Sequence, residues 1–132
     1  MNLNEVNLQK VRRLLKTPSV HEIMEGFKCR YNRLEFLERV RDFCRQNCRS
    51  SLPIMIDYLY SRGHMSQEEK ARIFEPKHLA DYERLDIFLD IMGEKDKPDL
   101  FLKFIEYASA CFYDGVSEQL IKSAKEFFKD DC

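Results

Sequence analysis

The stretch from Leu52 to Met92 constrains this chain more than any other. An apolar segment, Leu52 to Arg62, has helical spacing and stops at Gly63. Ser66-Gln67-Glu68-Glu69 follows at once as a capping box: the serine side chain accepts from one free backbone N–H, and Glu69 reaches back to another. The short helix it opens ends at Phe74, because Glu75 precedes Pro76 and a residue before proline is pushed out of helical angles. Leu79, Tyr82, Leu85, Phe88, Leu89 and Met92 then recur at three- and four-residue steps, which predicts a longer helix. Helix, tight turn, short helix, turn and long helix leave no room for a strand.

The flanking segments read the same way. Residues 3–16 predict an amphipathic helix with Leu3, Leu8, Val11, Leu14 and Leu15 near one face, broken by Thr17-Pro18. Ser19 to Glu22 is a second capping box, ahead of a short face of Val20, Ile23, Met24 and Phe27 that Gly26 weakens. Asn32, with Glu35 three later, predicts a helix from Arg33 to about Arg49. Its buried stripe is Phe36, Leu37, Val40, Phe43, Cys44 and Cys48, and its outer side carries Arg41, Arg45 and Arg49 in one row, tempered by Glu38 and Asp42.

Pro53 fits the first turn of the next helix, whose Leu52, Ile54, Met55, Ile56, Tyr58, Leu59 and Tyr60 are apolar nearly all round. That helix belongs in the middle of a bundle, with apolar surface to spare. Asp86, Asp90 and Glu94 form an acidic row on the long helix, beside Glu83. After a polar linker at 93–98, a helix from about Pro98 to Phe112 turns Phe101, Phe104, Ile105, Ala108, Cys111 and Phe112 inward. Asp114-Gly115 marks a turn, and a last helix runs from Val116 to about Lys129. About eight helices with short connections predict an all-α antiparallel bundle.

Composition bounds the rest. A chain of 132 residues with 44% hydrophobic content supports one packed body, and no apolar run approaches a membrane span. The polar, amphipathic start has no signal-peptide pattern, so an intracellular, cytoplasmic location is expected. Five cysteines form no disulfide framework. Cys44 and Cys48 lie four apart on one helical face, but no second pair stands at metal-ligand spacing, so buried reduced thiols are expected and no metal or cofactor is implied. The four glycines are scattered, with no P-loop or GxGxxG, and HExxH and GxSxG are absent. His21, His64 and His78 sit at helix starts or in turns. No catalytic constellation results, and the expectation is a protein that is not an enzyme.

Net charge is −1 but unevenly placed: residues 1–62 carry 12 Lys and Arg against 7 Asp and Glu, and residues 63–132 carry 10 against 16. Arg12, Arg13, Lys16 and the Arg41 row are candidates for phosphate contacts, with Tyr31, Tyr58 and Tyr60 for base stacking. A pI of about 6.3 and the acidic second half disfavour a dedicated nucleic-acid binder.

Ile56 to Glu69 resembles a caspase-recruitment domain (CARD), a branch of the death-fold superfamily. Tyr58-Leu59-Tyr60-Ser61-Arg62-Gly63 is similar to the family's "YL-x-S-x-G" helix end, followed by hydrophobic Met65 and a capped, acidic short helix. Leu85 to Met92 resembles the fourth helix with its "LL-x-L" core, and Phe101 with Phe104 the "F-x-x-F" of the fifth. Arg33–Arg49 would be the first helix and Val116–Phe128 the sixth, so the likeness covers about 95 residues. It implies a six-helix Greek-key bundle at 33–132, preceded by an extension at 1–32 of about two helices.

The resemblance implies assembly of signalling complexes in apoptosis or innate immunity. A basic face, expected at Arg41, Arg45 and Arg49, would dock on an acidic face, expected at Glu68, Glu69, Asp86 and Asp90. The implied partner is another CARD-like or helical domain, including a second copy. The fourth helix departs from the family pattern, being acidic where many CARDs are basic. The alternative is an N-terminal regulatory region of a double-stranded-RNA-sensing or Dicer-related helicase in antiviral or RNA-silencing pathways, in contact with RNA.

Overall fold

The computed structural model describes residues 5–16, 19–94, 98–112 and 115–128. Among these the chain forms eight helices: α1 (Glu5–Leu14), α2 (Ser19–Lys28), α3 (Arg30–Asn47), α4 (Leu52–Ser61), α5 (Gln67–Phe74), α6 (Asp81–Glu94), α7 (Pro98–Cys111) and α8 (Val116–Phe128). Leu3, Thr17-Pro18, the linker at 95–97, Asp114 and residues 129–132 lie outside the described residues, as does the Ser19 side chain of the second expected capping box.

The central stretch forms as its residues require. Gly63 adopts φ +80°, the left-handed region that favours glycine. Its N–H donates to the Tyr60 carbonyl at 3.1 Å, and His64 N–H donates to the Leu59 carbonyl at 2.9 Å. This pair of bonds closes α4 as a Schellman motif. Three residues on, Glu69 N–H donates to Ser66 Oγ at 3.1 Å and Ser66 N–H donates to Glu69 Oε1 at 2.8 Å, a complete capping box.

Helix α3 departs from expectation at its start. It begins at Arg30, with Cys29 as an extended N-cap that makes no side-chain bond, so Asn32 lies inside the helix. The reason is Arg33, which is 2% exposed. Its guanidinium donates to the Phe27 carbonyl at 2.9 Å, the Lys28 carbonyl at 3.3 Å and the Gly93 carbonyl at 2.9 Å. One buried side chain thereby satisfies the end of α2 and ties it to α6, and α3 must already be helical to aim it. A division between residues 32 and 33 therefore falls inside a helix. Arg84 acts similarly on α5, donating to the carbonyls of Ile73 and Pro76.

The core is one cluster that takes residues from every helix. At its centre Phe27 stacks on Phe101 with centroids 4.4 Å apart, and Phe36 meets Phe101 edge-on at 5.4 Å. Phe128 packs on both Phe27 and Phe36. Gly26 permits this, since a Cβ there would run into the Phe128 ring. α1 lies on α7, and α2 on α8, α3 and α7. α3 packs along both α6 and α8, α4 against α7 and α5, α5 against α6, and α7 against α8. Several of these pairs are not consecutive in the chain. The all-round apolar α4 is largely absorbed by its neighbours, with Tyr60 its exposed aromatic.

α7 and α8 are joined by two buried serines. Ser109 N–H donates to Ser117 Oγ and Ser117 N–H donates to Ser109 Oγ, each at 2.8 Å. The Ser117 hydroxyl donates onward to the Ile105 carbonyl, and the Ser109 hydroxyl donates to Glu118. Each hydroxyl thus both accepts and donates, as a buried polar group must to avoid a desolvation penalty.

A candidate docking face and the clasp across it

Arg41 and Arg45 follow from four-residue spacing on α3, with Arg49 just past its end, and Asp86, Asp90 and Glu94 follow from the same spacing on α6. Because α6 lies along α3, the two rows meet. Arg45 holds Asp86 through two bonds, Nε to Oδ1 at 3.0 Å and a terminal nitrogen to Oδ2 at 2.6 Å. Arg41 donates to Asp86 Oδ1 at 3.0 Å and to Glu38 at 3.0 Å, and lies 3.5 Å from Asp90. The Arg45 guanidinium also sits over the Tyr82 ring, 5.9 Å from its centroid. Glu94 is held by Arg72 of α5 through bonds of 3.0 and 3.2 Å.

Partial burial of Asp86 opposes its charge, yet hydrogen bonds from Arg45 and Arg41 outweigh that and hold its carboxyl below the usual aspartate range. Arg72 likewise lowers the Glu94 carboxyl. Arg41 and Arg45 of the expected basic face and Asp86 and Asp90 of the expected acidic face are therefore one mutually paired strip along α3 and α6. Sequence spacing gives the rows but not their apposition, which depends on how two helices far apart in the chain pack.

The other expected docking residues divide. Glu69 is occupied by the Ser66 cap. Arg49 lies just past the end of α3 and Glu68 in the first turn of α5, and both are exposed. No side-chain hydrogen bond or ion pair joins either to another described residue. In the chain they lie on either side of α4, a ten-residue helix about 15 Å long.

The candidate phosphate contacts also divide. Arg12 pairs with the buried Glu106 of α7 at 3.4 Å, while Arg13 and Lys16 are exposed. Tyr31 is 74% exposed, but the Tyr58 ring lies under Arg62 and the Tyr60 ring under Lys70. Cys44, Cys48 and Cys111 are buried, with the Cys48 thiol pushed up by its contact with Cys44 and by burial, and the Cys111 thiol pushed up to about 12 by burial. Among the described residues no three His, Cys, Asp or Glu side chains converge as a metal site, and no helix is long and apolar enough to cross a membrane.

Residues that spacing did not reveal are Arg33, Arg84 and the Ser109–Ser117 pair. Each acts across helices, and a lone arginine or serine in a helical pattern carries no signal of that. Compared with known proteins, the chain matches no family model, no curated protein and no solved structure.

Proposed function

We propose that this chain is a non-catalytic protein-interaction module of the CARD type, which assembles head-to-tail through opposite charges on two different patches. The reading is supported by the neighbour pattern of α3 to α8, where the first helix of the six lies against the fourth and the sixth and the second against the fifth. The observation that carries it is a pair of exposed, opposite charges left outside the clasp, Arg49 in the connection before α4 and Glu68 in the first turn of α5. Such charges act chiefly on encounter rate and specificity. Because the two patches differ, the contact is heterologous and propagates from copy to copy.

Sedimentation of the chain and two charge reversals tests this. At low salt the wild type is expected to associate reversibly and to dissociate as salt is raised. Arg49→Glu and Glu68→Lys should each remain folded and monomeric. An equimolar mixture of the two variants should recover association, since Glu68 of one meets Arg49 of the other and the two reversed charges also complement each other. A wild type that stays monomeric, or association indifferent to both reversals, overturns the proposal.

A further inference from the structure

We infer that α6 is the resting occupant of a second docking site on α3, formed by Arg41 and Arg45. The inference rests on the assembly reading above and concerns its regulation. The two guanidiniums stand one helical turn apart, and α6 brings two carboxylates, Asp86 and Asp90, at the same spacing. This is the chemistry that an acidic helix of another molecule would present. The occupant that replaces α6 there is the acidic edge of α5 in a second copy, where Glu68 and Glu75 are exposed; they stand seven residues apart, two turns, so a single carboxylate of that edge enters between the two arginines.

Releasing the site does not require α3 and α6 to separate. Leu37, Val40, Leu85 and Leu89 of the two helices remain in the common core whether or not the ion pairs above them are made. The outer groups of the clasp are open to water, with the Arg45 side chain 39% exposed and that of Asp90 58% exposed, while Arg41 and Asp86 beneath them are half-buried. Ion pairs of this kind are individually weak, so they can be exchanged for equivalent pairs with another molecule. The internal carboxylates therefore act as a tethered competitor that holds down the affinity of an external one.

Asp86→Asn/Asp90→Asn removes the carboxylates of α6 and leaves both arginines in place, with Arg41 keeping Glu38 on its own helix. Arg41→Gln/Arg45→Gln breaks the same pairs and removes the site. Circular dichroism establishes that each is folded, phenylglyoxal modification read by mass spectrometry reports arginine access, and sedimentation reports association. The aspartate variant is expected to expose Arg41 and Arg45 to phenylglyoxal and to associate about tenfold more tightly, and Glu68→Lys should reverse that gain. The arginine variant should gain nothing. A folded aspartate variant that associates no more tightly than wild type overturns the inference, whatever its arginine access. So does an equal gain in the arginine variant, which would trace the effect to a loosened fold. Wild-type association that is lost with Arg49→Glu and Glu68→Lys yet unchanged in the aspartate variant removes only the clasp, and association indifferent to those reversals removes the parent reading.

Discussion

Arg33 and Arg45 are one residue type in two roles, separated by their surroundings. Arg33 is buried against three main-chain carbonyls, where its loss strands acceptors in an apolar interior. Arg33→Met should therefore lower stability by roughly 2–4 kcal/mol in chemical denaturation. A loss well under 1 kcal/mol would mean that water replaces the guanidinium at no cost. Arg45 instead meets its carboxylate at the surface. With the Asp86 carboxyl held below its usual range, the clasp contributes stability above the unfolded-state pKa of about 3.9 and loses it as pH falls through the lower folded value. Asp86→Asn should cost up to about 1 kcal/mol at neutral pH, after allowance for solvent screening. The melting temperatures of wild type and variant should converge on acidification below pH 4 or so. A constant gap from neutral to strongly acidic pH would assign the effect to packing rather than charge.

At the scale of elements, the first two helices are structural members of the bundle. Leu8, Val11, Ile23 and Phe27 lie in the same cluster as Phe36, Phe101 and Phe128. Each large core side chain removed costs about 2–5 kcal/mol against a net stability of about 5–15 kcal/mol. A chain lacking residues 1–28 should consequently lose its cooperative thermal transition, whereas one that melts as sharply as the full chain would show a self-sufficient remainder. Elements set by local chemistry were legible in the sequence. The Gly63 stop, the Ser66 capping box and the start of α8 at Val116 all stand where spacing and turn residues place them. The start of α3 was not, because Asn32 carried a credible local signal while the deciding interaction reached from Arg33 to Gly93.

For the whole molecule, the same distinction separates the charge rows from their fate. The rows on α3 and α6 could be read from spacing, but their mutual neutralisation is a property of packing. The net charge of −1 consequently understates how little of it is arranged for display, since most of the arginine row and its acidic counterpart face one another. Of the docking residues expected from the sequence, Arg49 and Glu68 are the exposed ones that lie outside this strip and the Ser66 cap.

The reciprocal serines of α7 and α8 have a mechanical consequence. Sliding one helix along the other by a single residue would part the Ser117 amide and both serine hydroxyls from their partners in a dry, oil-like environment. The final hairpin thus has one permitted alignment, and force applied to α8 is transmitted to α7, and through it to α1, instead of being taken up by slippage.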